Sequence, residues 1–122
     1  PGIELVLDLA HGREACAWAD VIITGEGSID SQTPYGKVPS GIAKLARSQG
    51  KPTIAIGGTV TRDPHTIEAL NETGIVATFG IAPGPANLAT LIADTERNVE
   101  ITCAAIASTL RITAATSPCE SA

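Results

Sequence analysis

Apolar positions along the chain follow two periods in turn. Short β-branched runs at residues 3–7, 21–24, 53–56 and 75–81 are separated by stretches where apolar residues recur every three or four positions. The runs predict strands, and Val21-Ile22-Ile23-Thr24 suits a central strand buried on both faces. A short helix is predicted over residues 12–19, around Cys16 and Trp18. Val38, Ile42 and Leu45 mark the inward face of a second helix, with Gly50 just past its end. Asp63-Pro64 fits a cap followed by proline at the first helical position. Ile67 and Leu70 then face inward, and Gly74 stops that helix. Asn87 caps a final helix to about residue 111, with a stripe of Leu88, Leu91, Ile92, Val99, Cys103, Ile106 and Leu110. Residues 113–122, made of Thr, Ala, Ser, Pro, Cys and Glu, are expected to be a disordered tail.

Strands separated by helices imply parallel pairing through right-handed crossovers. The expected fold is α/β: a three-layer, doubly wound, mostly parallel sheet with helices on both faces, a partial Rossmann-like domain spanning residues 1–112. In such sheets ligands collect beyond the carboxyl ends of the strands. Residues 8–12, 25–37, 57–63 and 82–87 fall there, and all four segments are rich in Gly, Pro, Asp, Ser or Thr.

The densest of these runs Gly25-Glu26-Gly27-Ser28-Ile29-Asp30-Ser31-Gln32-Thr33-Pro34-Tyr35-Gly36-Lys37. It is expected to be a loop. Gly25 and Gly27 would let backbone approach a ligand and take positive φ. Glu26 and Asp30 offer oxygen ligands for Mg²⁺, or a general base. Ser31, Gln32 and Thr33 offer neutral hydrogen bonds for orienting a polar ligand. Lys37, next to a helix start, could face an anion. Neither a Walker motif nor a Gly-x-Gly-x-x-Gly loop fits, since Val38 follows Gly36-Lys37 and Asp30 takes the third glycine position. A polar turn with no ligand would have the same composition.

Composition narrows the functions. Thirteen acidic against eight basic residues give a net charge of -5, a poor match for non-specific polyanion binding. Trp18, Tyr35 and Phe79 are single representatives of their kinds, too few for a base-stacking surface, so no nucleic-acid partner is expected. No apolar run reaches spanning length, so no membrane partner is expected either. Cys16, Cys103 and Cys119 form no Cys-x-x-Cys pair, and a reduced cytoplasmic setting follows as the expectation. His11 and His65 lack a partner pattern and read as surface residues. Pro1-Gly2-Ile3-Glu4 is neither a signal peptide nor an initiating Met sequence, so a processed or cut start is expected.

Thr24-Gly25-Glu26-Gly27, Asp30, Gln32, Gly36-Lys37 and Pro39 resemble the signature loop of the type I glycerate kinases. The resemblance continues through Gly2-Ile3-Glu4, Lys51-Pro52, Ile56-Gly57-Gly58, Gly74-Ile75 and residues 81–84. It implies an ATP-dependent kinase that phosphorylates D-glycerate, with Mg²⁺, in a cleft between two α/β domains. Carried onto this chain, it implies catalytic roles for Glu26, Asp30 and Lys37, with Glu26 and Asp30 as the Mg²⁺ ligands. It implies substrate contacts at Ser28, Gln32, Gly25 and Gly27, and nucleotide contacts at Gly57 and Gly58. Family members usually carry Arg where Ser28 stands, and a serine can only hydrogen-bond where an arginine would neutralise charge. The alternatives are a non-catalytic module binding a nucleotide or other anion, and a remnant binding nothing.

The resemblance covers only the C-terminal part of the family chain, so an N-terminal part of the enzyme is an expected partner. Residues 1–122 alone are therefore expected to show no glycerate-dependent ATP consumption, and to self-associate as a homo-oligomer through an open sheet edge or through bare helix faces. A coupled ADP assay with light scattering checks both. Robust turnover by a monomer would contradict them.

Overall fold

The computed structural model describes residues 11–36 and 38–115. They divide into two compact units, separated after Gly80. In the first unit the order is helix α1 (Gly12–Trp18), strand β1 (Ile22–Ile29), a 3₁₀ turn (Thr33–Tyr35), helix α2 (Val38–Ser48), strand β2 (Thr53–Val60), helix α3 (Pro64–Thr73) and strand β3 (Ile75–Gly80). The second unit holds helices α4 (Leu88–Ala93) and α5 (Thr95–Ala115). The strand expected at residues 3–7 lies outside the described residues, as do residues 116–122 of the expected tail.

The sheet is parallel throughout its three described strands, in the order β1-β2-β3. This is the α/β arrangement that the alternation of periods predicts. Two expectations about β1 need correction: that it is buried on both faces, and that it ends at Thr24. Among the described strands β2 lies between β1 and β3, and its first five residues are all buried. Ile23 of β1 is exposed, so that strand is not covered on both faces. Strand β1 also runs on through Gly25-Glu26-Gly27-Ser28-Ile29, which the sequence assigns to a loop. Those residues have low strand propensity, but β2 offers an equally long parallel partner, and ladder pairing overrides propensity. Strand β2 likewise continues through Gly57-Gly58 to Val60.

Helix ends fall where side-chain chemistry sets them. The Asp63 carboxylate accepts from the Thr66 N–H at 2.9 Å and from the Thr66 hydroxyl at 2.8 Å, and Pro64 takes the first helical position. Gly74 closes α3 with φ +109°, a conformation that a side chain would strain. Asn87 caps α4 through a 2.8 Å bond from the Thr90 N–H. The single final helix expected from Asn87 to about residue 111 is instead two helices, broken at Asp94, and the second continues to Ala115.

Inside the first unit the core is Ile29, Ala43, Ala55, Leu70 and Ile75, with Val60 packed against it. Helix α2 turns Pro39, Ser40, Ala43 and Ala46 inward, and Val38 is exposed. The apolar stripe read from Val38, Ile42 and Leu45 is thus displaced by one position. Close approach explains it: a Cβ on Gly74 would stand 3.0 Å from the Ala43 carbonyl oxygen and 3.2 Å from the Arg47 Cβ. Only a small-residue face fits there. Helix α3 similarly buries Thr66, Leu70 and Thr73, and leaves Ile67 exposed. Among the described residues no helix is long and apolar enough to cross a membrane.

The Asp63 cap makes part of the stability of α3 depend on pH. The Thr66 hydroxyl and N–H, in that order, hold its carboxyl below the ordinary value, and His65 adds a smaller charge effect. A depressed folded pKa means stabilisation that is complete above the unfolded pKa and is lost as pH falls through the folded one. Asp63→Asn, which keeps a capping acceptor but no titrating group, should therefore flatten the acid limb of stability below about pH 4. Urea midpoints by circular dichroism against pH measure this, and parallel acid limbs in the two proteins would contradict it.

Candidate functional site

The carboxyl ends of β1 and β2 lie side by side. Glu26 pairs with Gly57, Ser28 with Thr59 and Ile29 with Val60. Thr61 then donates its N–H to the Ile29 carbonyl at 2.9 Å, tying the segment after β2 to the end of β1. Two of the four segments singled out in the sequence thus depart from one edge, and β3 reaches it with Gly80 beside Gly57.

Asp30 is the first residue past β1, and the chain folds back on it. Its Oδ1 accepts from the Gln32 N–H at 2.9 Å, and its Oδ2 accepts from the Ser28 hydroxyl at 3.3 Å. Its own N–H donates to Thr33 Oγ1 at 3.0 Å, while the Thr33 N–H donates to the Asp30 carbonyl at 3.0 Å. The Tyr35 N–H closes the turn on the Gln32 carbonyl. Asp30 and Ser28 are partly buried, Gln32 is exposed, and Thr33 is completely buried. Thr33 is therefore turned inward to the loop, not outward to a ligand as its sequence position suggests.

Glu26 sits four residues before Asp30 in β1. Its Oε2 is buried without a hydrogen-bond partner. The Ser40 hydroxyl, in the first turn of α2, is buried in the same condition. Buried polar atoms are nearly always paired, so each marks a place where a donor, water or cation is called for. Sequence reading did not single out Ser40, because nothing in Pro39-Ser40-Gly41 distinguishes a buried serine from an exposed one. Lys37, expected to face an anion, lies outside the described residues.

The glycines divide by cause. A Cβ on Gly57 would come within 2.9 Å of Ile29 Cγ1 and 3.0 Å of the Thr59 carbonyl, and one on Gly58 within 3.0 Å of the Gly27 carbonyl. Packing between β1 and β2 alone requires both. A Cβ on Gly27 would meet nothing within 4 Å, so no neighbour among the described residues explains that glycine. Neither Gly25 nor Gly27 takes the positive φ expected of a loop. Their place in a strand removes the need, and positive φ falls at Gly36, Gly50 and Gly74 instead. Among the described residues no three His, Cys, Asp or Glu side chains are grouped to hold a metal.

The glycerate kinase family model matches residues 1–111. The glycerate kinase of Bacillus cereus is 43% identical over 111 residues, covering 91% of this chain and 28% of that protein. The glycerate 2-kinase of Escherichia coli is 40% identical over 80 residues, 66% of this chain and 20% of that protein. A solved structure of glycerate kinase 2 from Salmonella typhimurium LT2 superposes with a TM-score of 0.62 at 37% identity, covering 89% of this chain and 26% of that one. The matched residues therefore span between a fifth and a little over a quarter of the length of these relatives.

Gly57 carries a direct test of the β1–β2 approach. Gly57→Ala should destabilise the first unit by about 1–3 kcal/mol, the range for forced overpacking. Gly27→Ala, whose Cβ enters open space, should cost much less. Paired denaturation curves decide it, and equal losses would contradict the packing account.

Proposed function

The chain belongs to the glycerate kinase family, and on that premise we propose that it forms one wall of a site transferring the γ-phosphoryl group of ATP to a hydroxyl of D-glycerate. Phosphoryl transfer asks a protein mainly for positioning and charge neutralisation. The observation that carries the reading is the buried, unpartnered Glu26 Oε2 on the strand that leads into Asp30. A carboxylate oxygen shut away from water is costly until a donor or cation reaches it.

In this reading Glu26 and Asp30 hold Mg²⁺ or the attacking hydroxyl, Gln32 orients the substrate, and Lys37 meets phosphate or the glycerate carboxylate. Each carboxylate is of a type that suits the ion, since Mg²⁺ is commonly held by one or two carboxylates with waters and substrate phosphates completing its shell, and the extended strand sets the Cα atoms of the two about 13 Å apart. When bound, the ion supplies charge neutralisation at the phosphate oxygens. Both Asp30 oxygens are already engaged within the loop, Oδ1 by the Gln32 N–H and Oδ2 by the Ser28 hydroxyl, which fixes the direction in which the carboxylate is presented. Gly27 leaves backbone for a ligand to approach, since a Cβ there would meet nothing within 4 Å, whereas at Gly25 that space is taken by Ile56 Cγ1 at 3.2 Å. Gly57 and Gly58 stand beside them on β2, where the nucleotide would be met.

The test uses the full-length protein that contains this chain. It should release ADP only when D-glycerate, ATP and Mg²⁺ are all present. Asp30→Asn and Lys37→Ala should each lower kcat about a hundredfold, near 3 kcal/mol of transition-state stabilisation, with unchanged circular dichroism. Near-native turnover in both variants removes these residues from the chemistry. Thermal stabilisation by ATP without glycerate-dependent ADP release would assign a binding module instead.

A further inference from the structure

We propose that Thr33 is a positioning residue of this site: its buried hydroxyl holds the backbone of Asp30 and thereby aims the Asp30 carboxylate. The inference rests on the reading of Asp30 as part of the phosphoryl-transfer machinery. Thr33 has no exposed surface, so its hydroxyl serves the loop and not a ligand. It grips both polar backbone groups of Asp30, accepting from the N–H through Oγ1 and donating its own N–H to the carbonyl, each at 3.0 Å. With the backbone held, the Gln32 N–H and Ser28 hydroxyl engage the two carboxylate oxygens separately.

The neighbours of Thr33 make the grip rigid. A β-branched side chain has few accessible χ1 states. Pro34, itself buried, restricts the backbone of Thr33 as the residue before it. At the other end, Ile29 is fully buried in the core. Asp30 is thus held between an anchored strand end and an anchored turn. Removing the hydroxyl leaves the partly buried Asp30 N–H without its acceptor and loosens the backbone that sets the position of the carboxylate.

The test is a double-mutant cycle in the full-length protein. Thr33→Val keeps the shape and removes the acceptor. It should lower kcat roughly ten- to hundredfold, the effect of a small misplacement of a reacting group, with KM for glycerate and ATP unchanged. Thr33→Ser, which restores the acceptor, should recover most of that loss. Added to Asp30→Asn, Thr33→Val should cost little more, because both act through one carboxylate. Native kcat in Thr33→Val, a Thr33→Ser variant as impaired as Thr33→Val, or fully additive losses would overturn the proposal while leaving the reading of Asp30 intact. Native turnover in Asp30→Asn would overturn both. If Thr33→Val does not fold, comparison of Thr33→Ser with Thr33→Ala in the same cycle isolates the hydroxyl.

Discussion

The parallel register of β1 on β2 is the constraint from which the site follows. It sets Glu26 beside Gly57 and Ser28 beside Thr59. A slip of one residue would turn every side chain of β1 to the opposite face, exposing Ile29 and changing which side Glu26 and Ser28 occupy. The register is pinned sterically. Ile29 lies where a side chain on Gly57 would have to go, so only glycine there lets the largest buried residue of β1 reach the core. From that fixed point the chain leaves the sheet at Asp30 and is caught three residues later by Thr33. Core packing and the placement of the Asp30 carboxylate are thus successive links in one short stretch of chain.

Folding also leaves buried polar atoms without partners. Among the described residues these are the Glu26 Oε2, the Ser40 Oγ and the Thr53 Oγ1, and the first two lie on elements that pack together, β1 and α2. A protein selected for stability alone would replace such groups with apolar ones of similar shape, or supply a donor. Keeping them is the pattern of a surface whose remaining partners arrive with substrate, cation or the rest of a longer polypeptide.

Much of the fold was legible in the sequence wherever a single residue's chemistry decides a boundary. Asp63-Pro64, Gly50, Gly74 and Asn87 mark helix ends by capping or by tolerance of positive φ, and these effects are local. The face of α2 was not legible, because hydropathy ranks Val38, Ile42 and Leu45 above Ala43 and Ala46. The nearness of Gly74, thirty-one residues further along from Ala43, reverses that order. The length of β1 was hidden in the same way, since Gly25-Glu26-Gly27-Ser28 becomes a strand only because β2 lies beside it. In the site, the carboxylates and neutral donors could be named from residue type and motif. The inward turn of Thr33 could not, because a threonine among polar neighbours carries no sign of its own burial.

The alanine face of α2 has a consequence for how this protein can vary. At a contact built from Leu or Phe, damage comes mainly from truncation and the cavity it leaves. At Ala43 and Ala46, both without exposed surface, almost nothing remains to truncate, and nearly every substitution adds volume. With the Ala43 carbonyl 3.0 Å from where a Cβ on Gly74 would stand, larger side chains on this face would push the helix away from its neighbours. Helix α2 follows directly on the loop that carries Asp30 and Thr33, so such a displacement would be felt there first. Ala43 and Ala46 are therefore the positions of α2 least able to accept a larger residue, and its exposed positions the most able.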